Sequence, residues 1–143
     1  MAGAPPLTAL ADTGAVYALL DRDDVWHDRV KRWWEAATEA VLLPITIVPE
    51  ASYLIGRWLG AGAERAFVQA IADGQFTVEP LDPDDFPRAA DLMGVYLDAP
   101  LGFVDASVVA VGERLGIVRL LTTDRRHFAL VRPRHLPAFE LLP

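Results

Sequence analysis

The sequence predicts an α/β fold, a three-layer α/β/α sandwich around a mostly parallel central sheet of four to five strands. Two observations carry that expectation. Short apolar runs, Leu7–Ala11, Val41–Ile45 and Ile117–Leu121, contain no polar alternation, as strands buried on both faces require. Between them lie longer segments with helical periodicity, bounded by glycine, proline and capping residues, so strands and helices alternate. Right-handed crossovers then place helices on both faces of a parallel sheet.

Taken in order, Leu7–Ala11 reads as a short buried strand and Ala15–Leu20 begins a helix. Val25–Ala40 reads as a second helix, rich in charge and carrying Trp26, Trp33 and Trp34. Val41–Ile45 is a strand. Thr46 is expected as the N-cap of a helix reaching Leu59, with Pro49 in its first turn. Ala63–Ala72 is a helix ended by Gly74, and "QFTVEPL" is a strand. Asp82 is expected to cap a helix with Pro83 at its first position, running to Leu97. Leu101–Leu115 is a mostly apolar helix closed by Gly116, and Ile117–Leu121 follows as a strand. "AFELLP" reads as a last edge strand, stopped by Pro143.

A chain of 143 residues fits one domain, spanning 1–143. Its 52% apolar content suits a packed core and opposes disorder. No window carries the ~18 uncharged apolar residues of a membrane span, and the start, "MAGAPPLTALAD", has neither the basic nor the long apolar segment of a signal peptide. Cysteine is absent, which removes thiolate chemistry and agrees with a cytoplasmic location. The net charge of −7 is unusual for a nucleic-acid binder. Its distribution is uneven: residues 1–110 hold 7 basic and 17 acidic side chains, while residues 111–143 hold six arginines against Glu113, Asp124 and Glu140.

Two of the apolar strands stop on an aspartate, Asp12 and Asp124. In open α/β sheets, ligands bind outside the carboxyl ends of the strands. Two further acids belong to that end. Asp105 is the sole charge between Leu101 and Val111 and lies beside the Val104/Val108/Val111 face, where an unpaired carboxylate is costly. Glu50 follows Thr46 just beyond the strand Val41–Ile45. Each acid alone has an ordinary explanation: Asp12 and Asp124 as helix or turn caps, Glu50 as a favourable charge in a first helical turn. Four at one sheet end do not. Two like charges ~4 Å apart repel by roughly 4 kcal/mol at an effective dielectric near 20. Either pKa values rise or a divalent cation sits among them, and oxygen ligands select Mg²⁺ or Mn²⁺.

In the order Asp12 ("ADTGAVYALLD"), Glu50 ("IVPEASYLI"), Asp105 ("LGFVDASVVAVGERLG") and Asp124 ("LLTTDRRHF"), the chain resembles the PIN-domain nucleases, and most of all the VapC-type ribonuclease toxins of toxin–antitoxin pairs. The resemblance covers nearly the whole chain. It implies that the four acids bind Mg²⁺ or Mn²⁺ in an endonuclease acting on single-stranded RNA. It also implies a cognate antitoxin that blocks the site and a homodimer. Thr122 matches a hydroxyl common in that family, and Asp98 resembles a further acid of many members. Arg125 and Arg126 are expected to line the approach of RNA. His127 receives no role, and His27, His127 and His135, lacking zinc-ligand spacing, read as surface or turn residues.

Other classes fit less well. A dehalogenase-type phosphatase needs a second Asp where Gly14 stands, and a receiver domain needs a lysine after its last strand, whereas Lys31 is the sole lysine. "ADTGAV" lacks a dinucleotide-binding glycine fingerprint. The alternative from another class is a catalytically silent PIN-like module kept for protein contact. Trp26, Trp33, Trp34, Trp58, Leu59, Leu92, Met93, Val95 and Tyr96 are expected to supply apolar interfaces.

Overall fold

The computed structural model describes residues 8–143; Leu7, expected to open the first strand, lies outside them. The strands are β1 (Thr8–Ala11), β2 (Ala40–Pro44), β3 (Thr77–Glu79), β4 (Arg119–Leu121) and β5 (Glu140–Leu142). They form one sheet in the order β3-β2-β1-β4-β5, and every pairing is parallel. Helices α1 (Thr13–Leu20) and α2 (His27–Ala36) connect β1 to β2, and α3 (Ile47–Leu59) and α4 (Ala61–Ala72) connect β2 to β3. Helices α5 (Asp85–Val95) and α6 (Phe103–Leu115) return the chain to β4, and the short α7 (Arg125–Leu130) precedes β5. Strand order reverses at β1, whose neighbours are β2 and β4. The crevice outside the carboxyl ends of β1 and β4 is therefore the switch point at which such sheets bind ligands.

The three central strands are apolar because both faces are covered. Leu10, Leu43 and Leu120 are wholly inaccessible, as are Ile47 and Ile55 of α3 and Val108 and Val111 of α6. Helix α6 approaches the sheet closely at Gly112, where a Cβ would stand 2.9 Å from Leu10 Cδ1 and 3.0 Å from Phe139. Arg88 and Glu113 tie α5 to α6 through a two-pronged ion pair of 2.7 and 2.9 Å.

Several expectations need correction. The second helix starts at His27 rather than Val25, because the Asp21 and Asp24 carboxylates accept from the Asp23 and Trp26 amides and hold a turn there. It ends at Ala36, and Ala40 already belongs to β2. Thr46 makes no capping bond; its Oγ1 lies 2.6 Å from Ser107 Oγ instead. Asp82 accepts from the Asp84 amide, but α5 begins at Asp85 and stops at Val95. Of the groups expected at interfaces, Trp26, Trp33, Trp34, Leu59, Met93 and Tyr96 pack on the core, Trp34 against Phe76 at 4.9 Å, and Leu92 is buried. Trp58 and Val95 remain open to solvent. Much of the basic C-terminal third is consumed internally: Arg114 pairs with Asp85 and Glu79, and Arg119 with Glu39 and Glu140. Among the described residues no helix is long and apolar enough to cross a membrane.

Candidate active site

Asp12 follows β1 and caps α1, its Oδ1 accepting from the Ala15 amide at 2.8 Å. Its other oxygen accepts from the Thr122 hydroxyl. Thr122 follows β4, and its oxygen in turn accepts from the Asp124 amide at 2.9 Å. The ends of neighbouring strands are thus tied by one buried hydroxyl, and the Asp12 amide donates to the Leu121 carbonyl beside it. Asp124 caps α7 through the His127 amide and accepts from His127 Nδ1 at 2.8 Å. The capping and the clustering of both aspartates come from one geometry, since each strand runs directly into a helix at the carboxyl edge.

Asp105 stands in the first turn of α6, half-buried. Two residues on, the fully buried Ser107 donates to the Val104 carbonyl and meets Thr46, which fixes α6 against the end of β2. Glu50 is exposed in the first turn of α3, and its charge reaches Asp105.

Electrostatics follow from this packing. Burial pushes the Asp12 carboxyl up to about 7, against the Thr122 and Ala15 hydrogen bonds and with help from the Asp105 and Asp124 charges. Burial also raises Asp105, to about 6, with further repulsion from Asp124 and Glu50 and a small opposing effect of His127. Among the described residues, no lysine or arginine pairs with Asp12, Glu50, Asp105 or Asp124. One ligand atom each from Asp105, Asp124 and His127 lie within 4.8 Å of one another. This donor set, short of positive charge and rich in carboxylate oxygen, fits a divalent cation.

The PIN domain profile matches residues 9–132, a span that contains every acid just described. The chain belongs to the PIN domain family. It is 28% identical over 134 residues to Ribonuclease VapC26 of Mycobacterium tuberculosis, covering 94% of this chain and 99% of that protein. Among solved structures it is similar to VapC20 of Mycobacterium tuberculosis, described as a sarcin–ricin loop cleaving toxin, with a TM-score of 0.78 at 24% identity, over 85% of this chain and 93% of that one. A toxin–antitoxin complex from Klebsiella pneumoniae superimposes with a TM-score of 0.67 at 20% identity, covering 92% and 98%.

Not every expected site residue stands with these four acids. Asp98 is exposed in the turn after α5 and is not among the charges that act on Asp12 or Asp105. Arg125 is already engaged by the Pro143 carbonyl and lies 5.4 Å from the Trp26 ring centroid, whereas Arg126 is exposed. His27 is buried on the Ala18 carbonyl, and His135 is bonded to the Ile117 carbonyl, so neither is a simple surface group. His127, given no role from sequence, touches Asp124. The readable signal was its spacing, three residues after a capping aspartate, which brings both side chains to one helix face. A groove of about 670 Å³ is lined by none of these acids; Trp34, Phe67 and Phe76 line it together with Arg22, Lys31 and Arg65.

Proposed function

We propose that this PIN domain is a Mg²⁺- or Mn²⁺-dependent endoribonuclease, the toxin of a toxin–antitoxin pair. The observation that carries the proposal is the meeting of Asp12, Asp105 and Asp124, with Glu50 beside them, at the switch point, with no lysine or arginine among the described residues paired to them. The ribonuclease among the relatives and the toxin–antitoxin complex among the similar structures support the same reading.

In this reading Asp12, Asp105 and Asp124 hold the ion, with Glu50 completing the acidic set at the rim. When bound, such an ion stabilises charge developing on a phosphodiester and lowers the pKa of coordinated water. The chain's own residues supply the geometry. Thr122 and the Ala15 amide fix both oxygens of Asp12, so its carboxylate needs little reordering. His127 and its amide fix Asp124. Arg126, exposed two residues after Asp124, holds a substrate phosphate as a point of positive charge. Arg125 supports the C-terminal carbonyl instead.

The partner is a cognate antitoxin whose basic side chain enters the acidic site, with the aromatic groove between α1, α2 and α4 as the remainder of its seat. The exposed apolar groups Tyr53, Trp58, Val95 and Leu97 fit a homodimer contact. EDTA-stripped protein, mixed with single-stranded and structured RNAs with and without Mn²⁺ or Mg²⁺, tests the enzyme. Cleavage is expected only with metal, and Asp124→Asn should abolish it. Failure of every RNA to be cut under every metal condition would leave the silent binding module as the better reading. Light scattering at tens of micromolar tests the dimer.

A further inference from the structure

We propose that His127 is itself a ligand of the bound cation, so that the centre is a mixed nitrogen–oxygen site rather than an all-carboxylate one. This rests on the metal site proposed above and goes beyond it in assigning a ligand and a metal preference.

The imidazole is held by position, not by chance contact. Its own amide donates to one oxygen of Asp124 at 3.2 Å and its Nδ1 meets the other at 2.8 Å, so ring and carboxylate share the first turn of α7. A nitrogen of this ring and one oxygen each of Asp105 and Asp124 all lie within 4.8 Å of one another. Ligand atoms ~2.1 Å from a common ion stand at most ~4.2 Å apart, so side-chain adjustment alone closes the set. Its half-exposed position leaves the ring free to make that adjustment. A histidine that merely oriented Asp124 would need no approach to Asp105, yet the ring stands near both acids. Asp12, each of whose oxygens accepts one hydrogen bond, stands outside these three clustered donors and joins the ion of the site proposed above through a remaining lone pair.

An imidazole ligand changes selectivity. Mg²⁺ prefers oxygen donors and retains its waters, while Mn²⁺ and later divalent metals accept nitrogen more readily. The centre should therefore favour Mn²⁺ over Mg²⁺ by more than an all-oxygen site does, and His127→Gln should lower that preference about tenfold. Gln keeps an amide donor for Asp124 and suits a helix.

Pulsed electron paramagnetic resonance of the Mn²⁺-loaded full chain reads the bond directly. Coupling to a directly bound histidine nitrogen is expected, changing when the histidines are ¹⁵N-labelled and vanishing in His127→Gln. Competition of Mg²⁺ against bound Mn²⁺ gives the selectivity in both proteins. Mn²⁺ bound with no nitrogen coupling overturns the inference while leaving the metal site standing. No Mn²⁺ bound at any concentration overturns both. Because absence of nitrogen coupling in the wild type overturns the inference by itself, poor folding of the variant does not blunt the test.

Discussion

Replacing Asp12 with Asn probes a carboxylate that the fold holds against its own charge. Its pKa is pushed from 3.8 up to about 7, chiefly by burial. A raised carboxyl pKa means that the folded state holds the proton more tightly than the unfolded chain does. The associated stability is complete below pH 3.8, declines as pH rises, and is gone above about 7. At ~1.4 kcal/mol per pH unit, the interval from 3.8 to about 7 amounts to about 4 kcal/mol. Asn carries no charge and avoids that loss. Its carbonyl oxygen still accepts from the Ala15 amide, but its NH₂ cannot accept from the Thr122 hydroxyl. Thr122 is wholly buried and its oxygen already accepts from the Asp124 amide, so the orphaned O–H costs about 1–3 kcal/mol. Without metal, Asp12→Asn should therefore stabilise the protein above pH 7 by about 1–3 kcal/mol, or roughly 4–12 °C in Tm. Near pH 4 the sign reverses, since only the lost hydrogen bond remains. Calorimetry in EDTA between pH 4 and 8.5 measures both. A difference between variant and wild type that stays constant across this range refutes the reasoning, because Asp12 would then titrate as a solvated acid.

Millimolar Mn²⁺ should stabilise the wild type at pH 7.5, by about 2.7 kcal/mol when the ion stands at 100 times its Kd, and raise its Tm accordingly, and calorimetry of Asp124→Asn should show little of this gain. Asp105→Asn should lose RNA cleavage while its metal-free Tm stays equal or rises, since repulsion from Asp124 and Glu50 is removed; full activity in a gel assay would remove Asp105 from the site. Arg126→Ala should weaken RNA binding and flatten its salt dependence with the Tm unchanged, whereas Arg125→Ala should lower the Tm by loosening the Pro143 carbonyl. Gly112→Ala should destabilise by about 1–3 kcal/mol in urea titration, because its Cβ would press on Leu10 and Phe139.

Sequence by itself determined the layers of this protein and its acids. Unbroken apolar runs leave a strand no face to give to water, so Leu10, Leu43 and Leu120 dictate a sheet covered on both sides, and parallel pairing follows. Asp12 and Asp124 stop two of those runs, and a residue that stops a buried parallel strand stands at the carboxyl edge whatever the rest of the chain does. Element ends were less legible, because side chains compete locally for backbone donors: Asp21 and Asp24 turn the chain before α2, and Thr46 gives its hydroxyl to Ser107 rather than to a helix amide. Tertiary structure alone decided which groups share a field. Strand order brings the Thr122 hydroxyl to Asp12 across 110 residues of chain, and no spacing in the sequence encodes that bond. The same packing turned three of the expected interface tryptophans, Trp26, Trp33 and Trp34, into partners of the core, tied Arg125 to the Pro143 carbonyl and set His127 against Asp124. Hydrophobic patterning is a local property and survives in one dimension. Desolvation and charge coupling depend on distances through space, and only the folded chain sets those.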